Sequence, residues 1–96
     1  SILTWMCRLE TKNLERSLKA VANKRRLEIL KYIKYKKEAP VGNIAGNIRL
    51  SFKATSKHLG ILAAADIVEK EQRSLLMFYR LATIQKPAIR HILSLL

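Results

Sequence analysis

Residues 50 to 62 read LSFKATSKHLGIL. On a helix, Thr55, Leu59 and Leu62 share one side, while Lys53, Ala54, Ser56 and Lys57 share the other. The second set suits the floor of a DNA major groove. A lysine ammonium donates to guanine O6 and N7, a serine hydroxyl donates or accepts, and an alanine methyl meets the methyl of thymine. Ser51 stands where a helix N-cap belongs, and it and the free amides of the first turn are placed for phosphate. The plainer alternative is a solvated basic surface helix.

Charge balance favours the first reading. The chain has 96 residues, with 19 Lys and Arg against 7 Asp and Glu, for a net charge of +12. A polyanionic partner follows, nucleic acid ahead of a membrane surface. Apolar residues make up 49% of the sequence, enough to fold. One domain spanning residues 1–96 fits this length, and the apolar surplus on so small a domain points to a dimer. No apolar run reaches the roughly 18 residues of a membrane span. The start, SILTWMCRLETKN, lacks the long apolar stretch of a signal peptide, and the single cysteine, Cys7, forms no internal disulfide framework. A cytoplasmic protein is the expectation.

Other polar candidates are fewer. Arg73 is expected at the tip of a hairpin, where it would reach the minor groove or a phosphate, or simply be solvated. His58 borders the inward Leu59 side and is assigned a structural hydrogen bond. Lys24, Arg25 and Arg26 open a helix and read as its solvated start, with the flanking DNA backbone as the alternative. Cys7 reads as a thiol buried in a dimer interface, with a redox role as the alternative. Trp5, Met6, Tyr32, Tyr35, Phe78 and Tyr79 read as packing. Catalysis is not expected: the acids Glu10, Glu15, Glu28, Glu38, Asp66, Glu69 and Glu71 are scattered, and His58 diverges from Ser56 at an i,i+2 spacing. No glycine-rich phosphate loop appears.

The elements that must hold these groups follow from periodicity. Ile2, Trp5, Met6, Leu9 and Asn13 form one stripe of a first helix, and Leu14, Leu18 and Val21 a second, so two packing neighbours are expected. Asn23 caps the next helix, KRRLEILKYIKYKK, with Leu27, Ile29, Leu30 and Ile33 inward. The stretch EAP breaks the chain and Pro40 starts a short helix, VGNIAGNI. Its Gly42 and Gly46 would admit a neighbouring backbone. Only NIRL separates this helix from the one opened by Ser51, short enough for a helix-turn-helix. IVEKEQRSLLMFYRL reads as two strands joined at Gln72–Arg73–Ser74. The last helix carries Ile84, Ala88, Ile89, Ile92, Leu93 and Leu96, with Pro87 in its first turn. The expected fold is mainly α with a β-hairpin wing, in the order α-α-α-α-β-β-α. The strongly apolar last helix should pack, with the first, on a second copy.

At this point the sequence resembles the ArsR (ArsR/SmtB) family of small winged-helix repressors. VANKRRLEIL resembles LADPTRLRIL, LSFKATSKHLGIL resembles the recognition helix LSQSTVSRHLKVL, and DIVEKEQRSLLMFYRL resembles the wing GLVRSRREGRWVYYRL. The match runs from about residue 18 to 82 in unbroken register. It implies a homodimer that binds palindromic operator DNA and represses transcription. It also implies where metal sensors keep their ligands, and this chain departs there. Pro40-Val41-Gly42 replaces a Cys-Val-Cys, and the last helix offers His91 alone, too few donors for a closed zinc site. No cofactor or metal is expected, and no effector is indicated. The family glycine before the recognition helix is Arg49, which carries strain if that position needs positive φ. The rival from another class is a winged helix that docks a partner protein. A third reading is peripheral attachment to anionic membranes.

Overall fold

The computed structural model describes residues 1–96. Its elements run α1 (Ile2–Val21), α2 (Lys24–Lys36), β1 (Glu38–Pro40), α3 (Val41–Ile48), α4 (Phe52–Ala64), β2 (Val68–Arg73), β3 (Leu76–Leu81) and α5 (Pro87–Ser94). This is the expected winged helix with one strand more. EAP does not simply break the chain: Ala39 pairs with Tyr79, so the sheet has three antiparallel strands in the order β1-β3-β2. Three residues are too few for an alternating pattern to show.

The core lies between α2, α3, α4 and the sheet. Ile29, Leu30 and Ile33 of α2, Ile44 of α3, and Leu59 and Leu62 of α4 are its most buried side chains, joined by Ile67 and Ile89. Asn23 caps α2 by accepting the Arg26 amide at 3.1 Å. Thr55 is fully buried, as its inward phase required, but its Oγ1 has no hydrogen-bond partner.

Two turns use left-handed residues. Arg49 ends α3 at φ 55, ψ 50, with its amide on the Gly46 carbonyl, while the Leu50 amide returns to Ala45 at 3.0 Å. Asp66 ends α4 at φ 60, with its amide on Ala63 and the Ile67 amide on Leu62, each at 3.0 Å. Both closures satisfy helix-end carbonyls and send the chain off sharply.

Three expectations need correction. Gly42 and Gly46 face open space: a Cβ at either position would meet nothing within 4 Å, so no backbone approaches them. The last helix begins only at Pro87, leaving Ile84 exposed before it. Tyr35 is a surface residue with Lys36 Nζ 5.5 Å from its ring centroid. The tyrosine follows the last inward position of α2, Ile33, and falls on its outer side.

Helix α1 departs furthest from a lone globular domain. Of its 20 residues only Ser17, Ala20 and Val21 are buried. Ile2, Leu3, Trp5, Met6, Leu9, Leu14 and Leu18 are all exposed, and so is Cys7. Apart from Val21, the two stripes therefore lack the neighbours their spacing demands. The radius of gyration is 14.3 Å, against about 12.5 Å for a compact domain of this length. Helix α5 is anchored more firmly. Lys34 Nζ donates to the Leu93 and Leu96 carbonyls at 2.9 and 3.1 Å, and Lys86 Nζ donates to Ser17 Oγ at 2.7 Å.

Candidate nucleic-acid interface

Helix α4 fixes the candidate reading face. Its inner side is held by Thr55, Leu59 and Leu62 in the core, which sets the outer side in space. Lys53 and Lys57 are exposed there, and Ala54 and Ser56 are half-buried beside them. Ser51 Oγ accepts the Ala54 amide at 3.1 Å, as an N-cap should. The Ser51 hydroxyl proton is left to donate elsewhere. From Ala39 to Ala65 the chain carries no carboxylate, while Arg49, Lys53 and Lys57 are cationic. The helix-turn-helix is thus uniformly positive. The outer side of α3 presents Gly42, Asn43, Gly46 and Asn47, small and uncharged.

Arginines behind the recognition helix are fasteners and not solvated charges. Arg26 Nε donates to the Ala20 carbonyl at 2.6 Å, and its Nη1 lies 3.0 Å from His58 Nδ1. An arginine only donates, so Nδ1 accepts and the His58 proton sits on Nε2. Burial holds the His58 ring below its ordinary pKa, and the positive charges of Arg26, Arg25 and Lys57 add to it. Arg25 Nη1 donates to the Ile48 carbonyl at 2.8 Å, tying α2 to the end of α3. The structural role expected of His58 is observed. The reading of Lys24, Arg25 and Arg26 as one solvated group fails for Arg25 and Arg26. Their long-range partners could not be seen in a helix-start pattern.

Arg73 is not at the wing tip. The strands extend through Arg73 and Leu76, and the two-residue turn is Ser74–Leu75, with Ser74 at φ 55. The tip is Leu75, 94% exposed. Arg73 instead grips Glu38 in a two-point pair at 2.6 and 2.7 Å and reaches Glu71 at 2.9 Å. Its guanidinium carbon lies 4.5 Å from the Phe78 ring centroid. Arg80 adds contacts to Glu71 at 3.0 Å and Glu69 at 3.3 Å. Two arginines thus sit among three carboxylates on the outer sheet face. The arginine hydrogen bonds hold Glu38 and Glu71 below the usual carboxylate range. Lys70 is exposed outside this network, two residues along the strand from Val68 and on the same face. Alternation along the strand would have separated Lys70 from Arg73.

No three His, Cys, Asp or Glu side chains gather into a metal-holding group. No helix is long and apolar enough to cross a membrane.

A helix-turn-helix with a β-hairpin behind it, on a positive reading face, defines a winged-helix regulator. The chain belongs to the ArsR/SmtB family of such transcriptional regulators, and the family is one of regulators and not enzymes. It is 34% identical over 76 residues to the transcriptional activator HlyU of Vibrio cholerae, covering 79% of this chain and 69% of that protein. The solved structure of reduced HlyU from the same species superposes with a TM-score of 0.77 at 28% identity, over 94% of this chain and 90% of that one. The homodimeric winged helix-turn-helix DNA-binding domain Mb0332 of Mycobacterium bovis gives 0.79 at 26% identity, over 92% and 78%. NolR of Sinorhizobium fredii gives 0.77 at 29% identity, over 94% and 86%. No family model matches the sequence.

Proposed function

We propose that this chain is a homodimeric regulator that binds a palindromic double-stranded operator and represses by occupying it. The observation that carries the reading is the outward, carboxylate-free face of α4, with Lys53, Ser56 and Lys57 on a helix whose opposite side is locked into the core. Lys53 and Lys57 donate to guanine edges and Ser56 to either type of partner. Ser51 donates to a phosphate while it caps the helix. Arg73 leaves this set of contacts, because its charge is engaged by Glu38 and Glu71. Lys70 takes over the wing's phosphate contact.

A two-fold dimer built on α1 and α5 sets the two recognition helices one turn of DNA apart, about 34 Å. The exposed apolar stripes of α1 supply that interface. Docking of a partner protein is less well supported, since a protein partner requires no face of uniform positive charge.

Selection from a random duplex library, followed by fluorescence anisotropy, tests the reading. The expected result is an enriched inverted repeat bound far more tightly than its scrambled sequence, with affinity falling steeply as salt rises. Replacing Lys53 or Lys57 by Ala should cost about 1–3 kcal/mol on the selected site. Equal losses on selected and scrambled duplexes would remove those lysines from base readout. No enrichment at all would overturn the proposal. A reporter with the site overlapping the promoter separates repression from activation.

A further inference from the structure

Phe52 is the first residue of α4 and is 63% exposed. Its neighbours on the chain and on the next turn are Ser51, Lys53, the buried Thr55 and Ser56, all polar. The next apolar residue on its side of the helix is Leu59, which is buried. The other large exposed apolar residue of α4 is Ile61, which lines a hollow beneath α1 with Asn13, Arg16 and Ala20. Ile61 lies nine residues further on, about 13 Å along the axis. The exposed ring of Phe52 is therefore separate from the apolar surface of α1; at the first turn of α4 it heads the stripe of Thr55, Leu59 and Leu62 and flanks Ser56.

We infer that Phe52 is a specificity residue that reads a thymine by its 5-methyl group, an inference that rests on the DNA-binding reading above. The N-terminal residues of a recognition helix are the ones that meet base edges. A phenyl ring offers no hydrogen bond there. The one feature of a major-groove edge it complements is the thymine methyl. Burial of that methyl against the ring removes apolar surface of both from water. Ala54, a methyl-bearing residue of the outer face, is half-buried and reaches less far. The motif LSQSTVSRHLKVL has glutamine at this position, a side chain suited to adenine. The change to phenylalanine moves the preference from a hydrogen-bonded edge to an apolar one.

The test uses the duplex selected by the intact protein. Each thymine in a half-site is replaced in turn by deoxyuridine, which removes only the methyl group, and dissociation constants are measured. One position per half-site should weaken wild-type binding about fourfold, the effect of one buried methylene-sized group. Phe52→Ala should bind the thymine and uracil duplexes equally at that position, and Ala54→Gly should keep the discrimination. Phe52→Gln should select adenine there in a repeat of the library experiment. Uracil that is neutral everywhere for wild type would overturn the inference, as would discrimination that survives Phe52→Ala or vanishes in Ala54→Gly. Failure to enrich any sequence is a different result and sinks the DNA reading itself. Melting curves on Phe52→Ala should match wild type, since the removed ring is largely in solvent.

Discussion

Arg26 Nη1 and His58 Nδ1 are 3.0 Å apart, which couples the start of α2 to the middle of the recognition helix. The same guanidinium donates to the Ala20 carbonyl at 2.6 Å, so α1, α2 and α4 meet at one side chain. The hydrogen bond exists only while the imidazole is neutral, because a protonated Nδ1 cannot accept.

Stability should therefore fall with acid. The His58 pKa is depressed in the folded chain by burial and by cations. The unfolded chain, at about 6.5, takes up its proton first as pH falls. The stabilising contribution is whole above pH 6.5, declines as pH drops below it, and levels off once the folded histidine is also charged. Thermal melts from pH 8 to pH 5 should show this loss in wild type and a smaller one in His58→Gln, whose amide oxygen accepts without titrating. Parallel profiles for the two proteins would remove His58 as the source.

Glu38→Gln and Arg73→Ala should act in the same direction. If Arg73 braces the wing, either change loosens the hairpin and weakens DNA binding equally on all sequences. The dependence of binding on salt should stay as in wild type, because the same phosphates are still neutralised. An arginine held ready for DNA gives the opposite sign: Glu38→Gln would free it and tighten binding. Hydrogen exchange of the amides in 68–81 checks the loosening directly.

The helices are legible because each carries an apolar face with a 3.6-residue period over two or more turns, buried in α2 to α5 and largely exposed in α1. The outward set of α4 follows from the inward phase of Thr55, Leu59 and Leu62, and all three are fully buried. Short-range structure is less legible. A hairpin turn is fixed by one or two residues, and QRSL offers no glycine to mark it, so the turn falls one position later than expected and Arg73 lies in the strand. Partnerships across the fold were not legible either. Arg26 with His58, Arg73 with Glu38, and Lys34 with the end of α5 join residues 32, 35 and 59 or more positions apart. No periodicity encodes such pairs. Arg49 is visible as a departure from a motif, and its φ of 55 meets the condition under which that departure carries strain.

Leu9→Glu should separate the proposed dimer. Leu9 and Trp5 lie one turn apart on α1, and both are exposed in the single chain. Exposed apolar surface of this extent calls for a partner. Sedimentation at micromolar concentration should give a dimer for wild type and a monomer for Leu9→Glu. The melting temperature should depend on protein concentration only for wild type. Loss of the link between half-sites should also weaken operator binding by about 100-fold. A wild-type protein that sediments as a monomer at all concentrations would rule out α1 as the interface.

Arg49→Gly should trade affinity for stability. Arg49 is exposed at φ 55, ψ 50, in the turn between α3 and α4. For a residue with a Cβ that conformation costs roughly 1 kcal/mol or more, and glycine escapes most of it. The gain is offset in part by the wider freedom of glycine in the unfolded chain. The net change should still raise the melting temperature by a few degrees, on the order of 4–8 °C per kcal/mol in a domain of this size. A strained cation kept at this turn has a reason if it meets a phosphate. Its removal should then lower the slope of log affinity against log salt by about one for each phosphate no longer neutralised, without altering the preferred sequence. A more stable variant with unchanged salt dependence would show that the arginine is tolerated and not used. A less stable one would show that the turn draws support from the side chain itself.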